Sequence, residues 1–150
     1  IRLIRNLRAV AGLKPSQKVP VMLVSGKEAL KNTLKTSIND ICVLTKAKEV
    51  QILTPEQAKS LPSMKALAGV SGELEVVLPI EGLVDIVSLR SRLEKDLNKA
   101  QKEIESLSGR LANKNFVDKA PKDVVEESRA NLMEAEAQVR LVQERLLGLD

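Results

Sequence analysis

Four cations recur at helical spacing in the second half of this sequence. Arg92, Lys95, Lys99 and Lys102 are separated by 3, 4 and 3 residues. An α-helix turns once in about 3.6 residues, so this spacing predicts one shared face. Arg110, Lys114, Lys119 and Lys122 carry positive charge onward along the chain. Such a row suits a phosphate backbone, because every phosphate neutralised by a cation releases condensed counterion. It also suits a plain solvated helix face. Arg92–Asp96 and Lys99–Glu103 stand at i, i+4, where an ion pair stabilises a helix by about 0.2–0.5 kcal/mol. Phe116 lies among these cations and is the single Phe of the chain. It can close the end of a helix pair against Leu111 and Val125, or stack on a nucleobase.

Other chemistries are excluded by composition. The 150 residues contain no His, so no His-based triad, His general base or His-ligated zinc site can be built from this chain alone. One cysteine, Cys42, allows no internal disulfide and no four-cysteine metal site, and reads as a small buried apolar residue. Aromatics are 1% of the residues, too few for a broad base-stacking platform. The glycines show neither G-x-G-x-x-G nor Walker spacing, so no nucleotide cradle is evident. Ser, Lys and Asp are present, but nothing assembles them into a catalytic group. Hydrophobic residues make up 43%, enough for a core and against full disorder. No run of 18 apolar residues is available to span a membrane. The chain opens at Ile1 inside a helical pattern, which reads as a piece of something larger, with no signal peptide.

Charge is uneven between the two halves. Residues 1–82 hold 12 basic and 7 acidic residues, net +5, whereas 83–150 hold 12 and 13, net −1. Arg2, Arg5, Arg8, Lys14, Lys18 and Lys27 precede the first acid, Glu28. This is compatible with a polyanionic partner and does not establish one.

The elements that would position the cations follow from two periodicities. Leu3, Ile4, Leu7 and Val10 predict a helix over 1–13 that stops at Gly12. Residues 18–24 read as a strand, with Pro20 at its start or on an edge. Ser25 and Glu28 have the spacing of a capping box, and Leu30, Leu34, Ile38 and Ile41 continue a helix to about residue 42. Residues 48–53 read as a strand, and Thr54-Pro55 as the cap and first position of a short helical turn. Residues 65–70 and 73–79 predict a hairpin around Ser71-Gly72, with Leu74, Val76 and Leu78 on its buried face. The predicted fold class is α+β: a small mixed sheet, β-α-β-β-β, followed by a long antiparallel two-helix coiled-coil hairpin.

The hairpin rests on heptads. Ile86, Leu89, Leu93, Leu97, Ala100, Ile104, Leu107 and Leu111 form one seam, and Val125, Ser128, Leu132, Ala135, Val139, Val142, Leu146 and Leu149 the other. Paired in reverse order (111 with 125, 100 with 135, 93 with 142), their numbers keep a nearly constant sum, as two helices folding back through one loop require. Ala100 opposite Ala135 permits close approach. Helices of this length extend about 40 Å, so the hairpin is expected to protrude. The break at 113–122 reads as too short for another element, with Pro121 suited to the first turn of the second helix. Glu126, Glu127, Glu134 and Glu144 give the second helix an acidic outer face. Gly109, inside the first helix, has no evident reason in the sequence.

Specific segments resemble the C-terminal end of the bacterial-type valyl-tRNA synthetases. They are GELEVVLPIEGLVDI at 72–86, LEKDL at 93–97, and LANKNFVDKAP at 111–121 with Val124, Val125 and Arg129. Residues 4–21, IRNLRAVAGLKPSQKVPV, resemble the exit from that family's anticodon-binding helical bundle. Val87-Ser88-Leu89 departs from the family, which more often carries acidic residues there. The resemblance implies three regions: 1–13 as the end of the helical bundle, 14–82 as a small α/β domain, and 83–150 as a coiled-coil tRNA-binding arm. It implies a cytoplasmic, monomeric ligase that joins valine to its tRNA with ATP and Mg. The arm would lean on the tRNA elbow, and the rest of the synthetase chain would be its other partner. The class signatures His-x-Gly-His and Lys-Met-Ser-Lys-Ser are absent, so this stretch is expected to be non-catalytic and to hold no cofactor. The RNA-binding residues implied are Arg92, Lys95, Lys99, Lys102, Arg110, Lys114, Phe116, Lys119 and Lys122. A protein–protein or dimerisation module is the alternative, for which apolar residues off the seam, Met133 and Leu141, would be the mark.

Overall fold

A computed structural model describes residues 1–150. In chain order the elements are α1 (Arg2–Ala11), β1 (Val19–Val24), α2 (Glu28–Thr36), α3 (Ile38–Thr45), β2 (Ala47–Leu53), α4 (Pro55–Ser60), β3 (Ala66–Ser71), β4 (Leu74–Pro79), α5 (Ile86–Ala112), α6 (Lys114–Lys119) and α7 (Lys122–Leu147). They fall into two compact units, Ile1–Leu89 with Gly148–Asp150, and Arg90–Leu147. No helix is long and apolar enough to cross a membrane.

The first unit is built on a four-stranded mixed sheet, ordered β2-β1-β4-β3. β1 runs parallel to β2 and antiparallel to β4, and β4 pairs antiparallel with β3. Alternate residues of the strands point to one side, where Val21, Leu23, Leu67, Val76 and Leu78 are buried. The apolar stripe of α1 packs there through Ile4, Leu7 and Ala11. Burying one such Leu or Ile contributes about 1.5–3 kcal/mol. Gly69 on β3 makes this approach possible, because a Cβ there would stand 2.8 Å from Leu3 Cδ1. The chain end also joins this unit: the Ala66 N–H donates to the Gly148 carbonyl at 3.0 Å.

Several local expectations change. Of the two places expected for Pro20, the start of the strand holds: it is the second residue of β1, a strand with a neighbour on each side. Two devices accommodate its missing N–H. The β1–β2 register shifts between Val19 and Val21, β2 using one more residue, and β4 pairs with β1 only at Met22, Leu23 and Val24. The helix expected to run to about residue 42 is two helices broken at Ser37. Ser25 is buried and caps nothing in α2; its Oγ accepts the Lys27 N–H at 3.1 Å, and Lys27 becomes the N-cap residue. Glu28 pairs with Lys31 instead, at 2.8 Å. The β3–β4 turn shifts by one residue: Ser71 pairs with Leu74, leaving Gly72-Glu73 as the loop, with Gly72 at φ 61°. Thr54 and Pro55 behave as read, and Gln57 completes a capping box with Thr54.

The early arginines are largely spent inside this unit. Arg5 donates to the Leu44 carbonyl through Nε at 3.0 Å and Nη2 at 2.8 Å. Arg8 is buried, and its guanidinium reaches the carbonyls of Gln17 (2.6 Å), Lys14 (3.1 Å) and Lys46 (3.4 Å). Burial lowers the Arg8 pKa, and these carbonyls supply acceptors for its donors.

The second unit holds the long helix pair, α5 and α7, in contact. Leu93, Ala100 and Leu107 on α5 are buried, as are Val125, Ser128, Ala135 and Val142 on α7. Leu97, Ile104, Leu132, Val139 and Leu146 are half-buried between them. Every heptad residue of this unit, Leu111 included, is therefore buried or half-buried, and none is exposed. Ser128 sits in the seam because its Oγ donates to the Val124 carbonyl at 2.9 Å, satisfying it within its own helix.

Candidate nucleic-acid interface

Arg92, Lys95, Lys99 and Lys102 are all exposed on α5. At 100° per residue they occupy an arc of roughly 80°, centred on the side away from the seam. Neither of the anticipated helical pairs forms. Ion pairs do form elsewhere, as Lys27–Glu73 at 2.5 Å and Lys31–Glu28 show. The row therefore presents uncompensated ammonium and guanidinium groups to solvent. Exposed cations of this kind interact weakly with single carboxylates but add up along a polyanion.

At the far end of α5 the chain does form a further element. Residues 114–119 make the short helix α6, against the expectation that the break at 113–122 is too short for one. Asn113 caps it, Oδ1 accepting the Asn115 N–H at 3.0 Å. It ends at Ala120, which is extended (ψ 150°), as a residue before proline is pushed to be. Pro121 then precedes α7, and its carbonyl accepts the Val124 and Val125 N–H groups at 3.0 and 3.2 Å. α6 packs against α7.

The structure brings Arg110 and Phe116 together. The Arg110 guanidinium carbon lies 5.7 Å from the ring centroid, within cation–π range. Phe116 is half-buried, while Arg110, Lys114, Lys119 and Lys122 are exposed. Cys42, far from these in sequence, is half-buried rather than buried.

Two features go beyond the sequence pattern. Arg129 and Arg140 join the expected Lys122 as exposed cations on α7 with no carboxylate within 4.0 Å, so α7 is not simply acidic on its outer side. Their separations of 7 and 11 residues, close to whole numbers of helical turns, were the available signal. Arg145 is half-buried, with Nε buried and unpartnered. Burial lowers its pKa, and the charge of Asp96 opposes that shift. Between the helices, Ala100 and Glu103 of α5 line one cleft with Asn131, Glu134, Ala135 and Gln138 of α7. The two alanines face a common space, as their lack of bulk permits.

A long helical pair joined through a capped short helix, with a bare cationic row on its outer face, is the architecture of a charged helical arm. The comparisons give that arm a family. Residues 85–150 match the family described as the valyl tRNA synthetase tRNA binding arm, and they belong to it. The whole chain is similar to curated valine–tRNA ligases. One from Prochlorococcus marinus is 91% identical over 150 residues, covering 100% of this chain and 16% of the relative. That of Parasynechococcus marenigrum is 57% identical over 149 residues, 99% of this chain and 16% of the relative. That of Synechocystis is 41% identical over 149 residues, covering 97% and 16%. The chain thus spans about one sixth of the length of these relatives and corresponds to their C-terminal region.

Proposed function

We propose that this chain is the tRNA-holding, non-catalytic C-terminal part of a cytoplasmic, monomeric valine–tRNA ligase. The ATP- and Mg-dependent attachment of valine would be carried out by the remainder of that enzyme. α5 and α7 run antiparallel as a coiled-coil arm, an arrangement favoured by the cleft that Ala100 shares with Ala135 and by the Asp96–Arg145 interaction. Residues 1–13 continue the anticodon-binding helical bundle, 14–82 form the small α/β domain, and 83–150 form the arm. The arm's ligand is the elbow of valine tRNA. Arg92, Lys95, Lys99 and Lys102 meet phosphates there, Arg110, Lys114, Lys119 and Lys122 do so around the tip, and Phe116 offers its ring to a base beside them. The observation that carries this reading is the row of exposed, unpaired cations on α5 within residues of the arm family. Contacts from lysine to phosphate carry little base information, so shape is the main thing read.

Reversing Lys95, Lys99 and Lys102 to Glu tests it. Helicity by circular dichroism stays unchanged, because none of the three side chains packs or pairs within the chain. Affinity for a valine tRNA transcript falls, and the slope of log K against log salt drops by roughly 2–3 if all three meet phosphates. Equal affinity across the salt series would show that this face is not the interface.

A second reading, docking or dimerisation through the helices, is favoured by Met133, which is 70% exposed off the seam. Leu141, the other candidate, is half-buried. Size-exclusion mass across a wide concentration range separates the readings: a constant monomer mass is expected, and a mass that doubles on concentration supports self-association.

A further inference from the structure

Gly109 lies three residues before the end of α5, and nothing inside the chain explains it. Glycine in a helix is unfavourable relative to alanine, because more backbone freedom is lost on folding. Neither usual structural reason applies. The glycines with positive φ are Gly12, Gly72 and Gly82, so Gly109 needs no special backbone region. A Cβ built on it meets nothing within 4 Å, so no neighbouring side chain requires the space.

Its position on the helix does have a pattern. Gly109 follows Lys102 by seven residues and Lys95 by fourteen. A step of seven drifts only about 20° around a straight helix, so the three fall along one line, each about 10.5 Å from the next. Where the row of lysines would continue there is bare helix. Immediately beyond it stands Arg110, whose guanidinium lies over Phe116. The gap therefore separates the lysine row from the cationic tip.

We propose that Gly109 is a close-approach point at which the sugar–phosphate backbone of the bound RNA rests directly on α5. This inference rests on the tRNA-arm reading and names a positioning residue within it. Long lysine side chains hold a phosphate well off the helix axis, whereas a position without a side chain lets the strand come down to the helix surface between them. A partner protein helix could also use a glycine for close approach, but it would need apolar neighbours. Here the nearest residues before it on this face are polar: Glu105 and Ser106 one turn back and Lys102 two turns back. The helix tolerates its glycine because the cost is recovered when RNA is bound.

The test uses the 150-residue chain and a fluorescently labelled valine tRNA transcript, with anisotropy titrations over a salt series and thermal melts by circular dichroism. Gly109→Ala is expected to raise the melting temperature and yet weaken binding about threefold; Gly109→Gln weakens it about tenfold or more. In both, the slope of log K against log salt stays unchanged, since no phosphate contact is removed. A merely structural role would move stability and affinity in the same direction. In a control, Lys95→Glu with Lys102→Glu lowers both affinity and slope. If the Gly109 variants bind like the unaltered chain while the lysine control weakens, this inference is overturned and the arm reading stands. If the unaltered chain fails to bind, or the lysine control has no effect, the arm reading falls and takes the inference with it. A Gly109→Gln variant that instead changes the size-exclusion mass points to a protein helix and overturns the RNA assignment.

Discussion

Arginine plays opposite parts at different places in this chain. Arg92 is a free cation on the surface of α5, while Arg8 is folded inward onto three carbonyls. Both looked alike in the sequence, where arginines at 2, 5 and 8 read as a basic stretch. The difference is geometric. The α3 helix ends beside α1, and its terminal carbonyls lack intrahelical donors. Arg5 and Arg8 supply donors at Leu44 and Lys46. Arg8→Met keeps much of the apolar stem but strips the Lys14, Gln17 and Lys46 carbonyls of this donor. It is expected to destabilise the first unit by about 2–4 kcal/mol, measured by urea unfolding. Arg92→Met, by contrast, changes stability by less than about 0.5 kcal/mol.

Element ends carry their own chemistry. Asp85 caps α5: Oδ1 accepts the Val87 and Ser88 N–H groups at 3.1 and 3.3 Å, and Oδ2 accepts the Ser88 hydroxyl at 2.8 Å. These bonds favour the carboxylate, first through the Ser88 side chain, and hold its pKa below the usual Asp value. The folded pKa is depressed, so this cap contributes stability above the unfolded value of about 3.9 and loses it as pH falls toward the lower folded value. Asp85→Asn should therefore flatten the loss of stability below about pH 4, read as melting temperature against pH. An unchanged acid limb in that variant would remove Asp85 from the account. The heptads of α5 and α7 were plain in the sequence because their period is a property of consecutive residues. The break at Ser37 and the interior position of β1 in the sheet were not, since each depends on what lies alongside. The helix α6 was missed because its cap, Asn113, is one residue whose role appears only when the next turn forms.

On the scale of the whole chain, each of the two units has its own logic. The first unit places most of its structure around a sheet whose buried faces belong to strands distant in sequence, β1 beside β4 and β2. The second places cations where no internal partner meets them. Binding through such a surface is predicted to be strongly salt-dependent, and the Lys95, Lys99 and Lys102 reversal tests that directly. The cations around the tip were legible as residue types. The contact between Arg110 and Phe116, the exposure of Arg129 and Arg140 without a carboxylate partner, and the burial of Arg145 were not. Each depends on which side of a helix meets another element.

The sequence by itself determined the seam residues, the cationic row and the alternation of the hairpin strands, because period 3.5 and period 2 are written in local order. It also carried the likeness to the tRNA-binding arm, through the segment at 111–121. Only the tertiary structure decided which arginines are spent inside the first unit, where β1 sits in the sheet, and which cations are left without a carboxylate. Those outcomes rest on distances between residues far apart in the chain, and no spacing rule contains such distances.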